Sequence, residues 1–255
     1  MYVQKIPKSK DMSSSLLGST VGILFQWFYE RDLWKHPDVQ NRMESLISDA
    51  FREAFKQSKV EPDFSLIDRI EPEIPTYIRN GISIIRENRL LRAENLAEVD
   101  LTICKTATDT HPVIKLGGRA DFILRDPSEI VLLDGKASVH RDLYTDAEQL
   151  IWYALQYYLK FRKAPDRVGF LFWGFPENPM KWIEYTEEDL RASYRKTLKV
   201  VTDIQSQKFD INTSSNCKVC DYRPMCPEGN QFVLDMNFKA NQDIIASTVF
   251  DLDMF

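Results

Sequence analysis

Three features of the chain predict an α/β fold, a central mixed β-sheet flanked by helices. The first is a pair of neighbouring segments, Arg119 to Leu124 and Ile130 to Ser138, both apolar and β-branched, joined by Asp126-Pro127-Ser128-Glu129. Such a linker is good turn chemistry, so the two segments are expected to pair as antiparallel strands. The second lies just downstream: a helical run from Glu148 to Tyr158, then Arg167 to Gly174 with Val168, Phe170 and Phe172 in alternation. The third is size, since 255 residues can bury one core, or one core plus a small cap.

In chain order, helices are predicted over Ser14 to Trp34, Pro37 to Gln57 and Asp63 to Arg92, the last breaking near Pro72 and Pro75. Lys5, Lys8 and Lys10 precede an apolar run from Leu16 to Phe28, a pattern that superficially resembles a secretion signal. It lacks a small-residue cleavage site, continues into Tyr29-Glu30-Arg31-Asp32-Leu33-Trp34, and is too short to span a bilayer. A buried aromatic helix is therefore expected, in an intracellular, cytoplasmic protein of a bacterial, archaeal or viral host cell with no membrane partner. Three strands come next, at about 96–107, 113–125 and 129–139. After the Glu148 helix come strands at Arg167 to Gly174 and Lys181 to Tyr185, then a helix from Glu187 to about Gln207. The expected organisation is one domain over 1–236, with a helical part (1–95), a core (96–208) and a cysteine-bearing cap (209–236), followed by a tail (237–255).

The hairpin carries the chemistry. If residues 126–129 form the loop and Arg125 faces Ile130, counting back along the ladder sets Asp121 opposite Asp134. Side chains alternate with period two, so Asp121, Asp134 and Lys136 project from one side of the sheet. Directly opposed side chains have Cβ atoms about 4.5–5.5 Å apart, where two like charges repel, so a cation is expected between them. Mg²⁺ or Mn²⁺ fits, because such hard ions bind through one or two carboxylates, keep waters and accept substrate phosphate oxygens. Lys136 could then position or deprotonate an attacking water. The alternative is a surface charge ladder with Asp121 paired diagonally to Lys136.

On the helix after the hairpin, Gln149 and Tyr153 are four residues apart and share a face. With Gly118-Arg119-Ala120-Asp121 and Asp134-Gly135-Lys136, the ordered set resembles the PD-(D/E)XK nuclease superfamily. In particular it is similar to the RecB-like branch, which includes the AddB nuclease domain and CRISPR-associated RecB-like exonucleases. Glu98-Val99-Asp100-Leu101-Thr102-Ile103 fits the preceding strand of that layout. The resemblance implies a restriction-endonuclease-like core with an N-terminal helical elaboration. It also implies Asp121 and Asp134 as metal ligands, Lys136 as catalytic lysine, and Gln149 and Tyr153 as contacts to DNA.

Cys217, Cys220 and Cys226, spaced C-x2-C-x5-C, resemble the C-terminal cysteines that supply three ligands to a four-iron cluster in iron-sulfur members of that branch. Their fourth ligand comes from a segment near the N-terminus, and the matching stretch here, Ser15 to Tyr29, has no cysteine. Three readings stay open: a cluster completed by Cys104 or His36, a mixed-ligand Zn²⁺ site, or a cap that binds nothing. Cys104 itself is expected at a core or edge position. A second departure is the missing helical histidine of many relatives, with Ser48 about where it would fall. Glu44, Asp49 or Glu53 could supply a carboxylate instead, or could simply form a solvated helix face.

The net charge of −5 argues against holding nucleic acid by bulk electrostatics alone. Local basic stretches occur at Lys160-Phe161-Arg162-Lys163 and at Arg191, Arg195, Lys196 and Lys199. Interleaved with Tyr157, Tyr158 and Tyr194, they could track a single strand by charge and stacking. The final Asp251-Leu252-Asp253-Met254-Phe255 resembles short peptides that dock on the sliding clamp. The function expected is a metal-dependent DNA nuclease, an exonuclease or end-processing enzyme of recombination, repair or replication acting on single strands or DNA ends. The alternatives are a non-catalytic DNA-binding scaffold, or a subunit active only with a helicase or recombination partner.

Overall fold

The computed structural model describes residues 13–58, 64–105, 114–138, 141, 147–220 and 222–238. The terminal peptide 251–255 and the N-terminal lysines lie outside the described residues. The chain divides into two compact units, residues 12–201, and residues 1–11 together with 202–255.

The larger unit begins with helices α1 (Ser13–Glu30), α2 (Val39–Ser45), α3 (Ile47–Ser58), α4 (Phe64–Ile70) and α5 (Ile74–Glu87). Next come strands β1 (Glu94–Asp100), β2 (Ile103–Lys105), β3 (Ile114–Leu116), β4 (Arg119–Arg125) and β5 (Ile130–Lys136). The unit closes with α6 (Glu148–Phe161), β6 (Arg167–Phe172), β7 (Met180–Ile183) and most of α7 (Glu187–Gln205). Five strands form one mixed sheet in the order β1-β4-β5-β6-β7. The β5/β6 pair is parallel and is joined through α6; the other neighbours are antiparallel.

Period-two patterning gives the sheet two buried faces. On β5, Val131 and Leu133 join Phe122, Leu124, Leu171 and Trp173 under the N-terminal helices. Ile130 and Leu132 point the other way, joining Ile123, Val168, Phe170 and Phe172 under α6 and α7. The sheet is thus the middle of three layers, and the apolar run in α1 is a core helix, with Leu16, Leu24, Phe25 and Phe28 buried. Among the described residues no helix is long and apolar enough to cross a membrane.

Several boundaries differ from those the sequence predicts. The strand expected over 96–107 is two strands. The Asp100 carboxylate accepts the Thr102 N–H (2.7 Å) and Leu101 donates to the Gly118 carbonyl (2.9 Å), turning the chain off the sheet so that β2 pairs with β3 in a separate two-stranded sheet. Cys104 lies exposed on β2. The helix expected over Pro37 to Gln57 divides at Leu46, which caps α2 before α3 restarts at Ile47. Pro72 sits in a one-turn 3-10 helix, Glu71–Glu73, and Pro75 in the first turn of α5, where its missing N–H costs no helical bond. The smaller unit contains one-turn 3-10 helices at Ser215–Val219 and Arg223–Met225 and a helix over 227–238.

Candidate metal centre

The hairpin register is the expected one, with Arg125 opposite Ile130, and the β4/β5 pairs run in step as far as Phe122 and Leu133. One position further the backbones part. The Asp121 carboxylate takes over from the ladder, accepting the Gly135 N–H at 2.8 Å, and this ties Asp121 to the strand that carries Asp134. Asp134 is only 3% exposed, and its Oδ2 is ion-paired with the Lys136 ammonium, so the diagonal Asp121–Lys136 ladder is not formed.

Gly135, between Asp134 and Lys136, faces the opposite layer. A Cβ there would stand 3.0 Å from both the Phe122 ring and the Trp173 indole nitrogen, so the middle position of this D-G-K strand has no room to spare. Trp173 in turn stacks on Phe25 of α1, with ring centroids 4.0 Å apart. The apolar layer thereby fixes the strand from behind while the charged pair faces α6.

From α6, Gln149 donates to Asp134 Oδ1 at 3.3 Å and lies 3.3 Å from the Tyr153 hydroxyl. The structure therefore gathers Asp121, Asp134, Lys136, Gln149 and Tyr153. Burial, then the Asp134 charge, pushes the Asp121 carboxyl up to about 7, against the pull of the Gly135 N–H. Burial also raises Asp134, with Lys136 opposing. Tyr153 is raised by burial as well. Two carboxyls disfavoured as anions at such close quarters make a strong cation site once a positive charge is supplied. Among the described residues no group of three or more His, Cys, Asp or Glu could hold a metal ion. For a hard divalent ion two carboxylates suffice, since waters and a phosphate complete its shell, and the all-oxygen donor set suits Mg²⁺ or Mn²⁺.

A family model for the PD-(D/E)XK nuclease superfamily matches residues 1–227. The chain belongs to this superfamily. The mixed sheet flanked by helices is consistent with its restriction-endonuclease-like core. Members are nucleases, generally dependent on divalent metal. No curated protein matches the chain. A solved structure, "Crystal structure of SSO0001", is 15% identical, with 89% of this chain and 90% of that chain covered and a TM-score of 0.37.

Two further residues, Glu98 and Gln156, lie close to this cluster. Glu98 has a left-handed backbone, φ 52°, inside β1, and the ladder passes over it between Ala97 opposite Phe122 and Val99 opposite Ala120. That count puts Glu98 beside Asp121, where its charge also raises Asp121. Its own carboxyl is raised by burial, Arg119 opposing at 2.5 Å and Glu30 assisting. Gln156 is wholly buried and its side chain lies over Gly118. A Cβ at Gly118 would fall 1.9 Å from Gln156 Oε1, so a side chain there would have to displace the amide of a helix residue seven positions beyond Gln149. That spacing, with Tyr153 between, could have been read as one polar helix face.

The other expected donors are engaged elsewhere. Glu44 is bonded to Gln40 (2.9 Å), Glu53 to Gln57 (3.1 Å), and Asp49 to Arg52. In the smaller unit Cys217 Sγ accepts the Ser214 N–H at 3.4 Å and Cys226 Sγ the Gly229 N–H at 3.3 Å. A Cβ on Gly229 would meet Cys226 Sγ at 3.1 Å and Cys217 Sγ at 3.9 Å, so both sulfurs face this glycine, while Cys220 is exposed. Among the described residues, the three cysteines of the smaller unit form no group of three or more metal donors.

Proposed function

We propose that the protein is a Mg²⁺- or Mn²⁺-dependent deoxyribonuclease of the RecB-like type, an exonuclease or end-processing enzyme acting on single strands or DNA ends. The observation that carries the reading is the buried, cation-deficient Asp121–Asp134 pair at the point where β4 and β5 part, with Lys136 and Gln149 converging on it. A bound divalent ion would lower the pKa of a coordinated water and offset charge on the phosphate. Asp121 and Asp134 would hold that ion. Lys136, as an ammonium, would orient the attacking water and neutralise charge developing on the phosphate oxygens, and only its neutral form could take the water's proton. Gln149 keeps the Asp134 carboxylate aimed, and with Tyr153 would contact the DNA backbone. No covalent intermediate is needed. Partners in this reading are DNA, a helicase or recombination protein, and a sliding clamp through 251–255.

The test is degradation of end-labelled linear single- and double-stranded DNA with Mg²⁺ or Mn²⁺, comparing the parent with Asp134→Ala and Lys136→Ala. The expected result is cleavage lost in both variants and in EDTA. Well-folded, metal-loaded parent that binds DNA but cleaves no substrate would favour the scaffold or partner-dependent alternative.

A further inference from the structure

The chain reverses its facing at one row of the sheet. Residues two apart on a regular strand share a face, yet Ala97 packs with the N-terminal helices and Val99 with the layer of α6 and α7. Their partners on β4 do the same, Phe122 lying in the first layer and Ala120 in the second. On β1 the reversal falls on Glu98, whose left-handed backbone (φ 52°) acts as a bulge, and on β4 it falls on Asp121. Bulges of this kind re-aim a side chain by accepting an unfavourable φ. Asp134 follows on β5, one step beyond the Phe122–Leu133 pair. Three acids therefore stand in one row across β1, β4 and β5.

Glu98 differs from the other two in how it is matched. Its Oε2 is buried and meets no hydrogen bond among the described residues, while Arg119 reaches it as an ion pair at 2.5 Å. The Arg119 side chain is 62% exposed, so its guanidinium can exchange this contact for water readily. Glycine would take the same φ without strain; a glutamate held there keeps a carboxylate one strand away from Asp121. Neighbouring strands lie about 4.7–4.9 Å apart, and no three acids among the described residues could hold one ion together. A hard divalent ion keeps several waters, so a carboxylate at this remove meets the ion's shell rather than the ion.

We propose that Glu98 is a positioning residue of the cation site: on parting from Arg119 it accepts a hydrogen bond from a water in the ion's shell and so fixes that shell against Asp121. The inference rests on the reading of Asp121 and Asp134 as ligands, and its test reads binding rather than turnover. In calorimetric titration of Mn²⁺ into the metal-free protein, Glu98→Ala should bind about 10- to 100-fold more weakly, the usual loss when an outer-shell partner is removed. Glu98→Gln, which keeps an acceptor oxygen, should recover part of that affinity. Arg119→Ala should tighten binding in the parent and change nothing in Glu98→Ala, because Arg119 competes for Glu98. Glu98→Gly should raise the melting temperature of the metal-free protein by relieving the left-handed backbone, yet weaken Mn²⁺ as Glu98→Ala does; a purely structural glutamate would lose stability as well. Equal Mn²⁺ affinity in the parent and Glu98→Ala would overturn the proposal, as would an Arg119→Ala gain that survives in Glu98→Ala. If Asp121→Asn still abolished binding in that case, the ligand pair would stand without Glu98. A parent that takes up no Mn²⁺ would sink the nuclease reading and this role together.

Discussion

The two ends of the β4–β5 hairpin solve the same electrostatic problem in opposite ways. At the turn end every charge near the strands has a partner. Arg92 bridges Asp126 at 2.9 Å and Glu129 at 2.7 Å, Asp126 also accepts the Ala93 N–H, and Asp166 closes on the Ile130 N–H. At the other end two carboxylates are buried together with one ammonium, the ladder is open, and both acids are held above their ordinary range. The turn end pairs its charges within the chain. The open end is short of positive charge, and the difference marks where the molecule expects a ligand rather than a contact.

The largest effect should come from breaking the open end. Asp134→Asn or Asp121→Asn should lower metal-dependent cleavage by at least ~10³-fold, about 4 kcal/mol of transition-state stabilisation, while raising the melting temperature of the metal-free protein. Breaking the closed end should do the reverse. Arg92→Ala leaves Asp126 without its cation and Glu129 with Arg167 alone, and should cost roughly 1–3 kcal/mol of stability, read by urea unfolding, with metal affinity unchanged.

A third prediction sharpens the contrast through pH. Because the Asp121 carboxyl is raised to about 7 in the folded chain, the folded state holds more protons than the unfolded between about pH 4 and 7. Its contribution to the metal-free protein is therefore present at low pH and lost as pH rises through about 7. Metal binding, which needs the ionised form, should offset that loss. The melting-temperature gain on adding Mg²⁺ or Mn²⁺ should grow from about pH 5 to 8 in the parent and stay flat in Asp121→Asn.

A smaller effect separates placement from chemistry. Gly118→Ala sets a methyl against the buried Gln156 amide and should displace β4, lowering activity, and Gln156→Ala in the same chain should recover part of it. A strictly additive double variant would show that Gln156 does not set the position of the strand. Smallest of all, Gln149→Ala removes one long hydrogen bond to Asp134 and should cost about 0.5–1.5 kcal/mol in kcat/KM.

The hairpin was legible because its information is local. Period-two alternation and Asp126-Pro127-Ser128-Glu129 fix the register, and the register brings Asp121 and Asp134 together. Gln149 and Tyr153 were legible for the same reason, through helical spacing. What was not legible depends on tertiary contacts or on backbone geometry. The left-handed residue inside β1 is a glutamate like any other in sequence, and only the sheet shows it beside Asp121. Gln156 reads as one polar residue in an aromatic helix until Gly118 is found under it. The break after Asp100 comes from a side-chain bond to Thr102 that competes with the strand. Tyr157 and Tyr158 are adjacent in sequence, yet one is core and the other is 42% exposed, a distinction set by how α6 lies on the sheet.

The central claim is that the open end of the hairpin is a divalent-cation site, and calorimetric titration of Mn²⁺ into the metal-free protein at about pH 7 tests it most directly. One ion per chain is predicted, with proton release on binding, and with both signals lost in Asp121→Asn and Asp134→Asn. Equal stoichiometry, affinity and proton release in the parent and both variants would place the ion elsewhere and contradict the account.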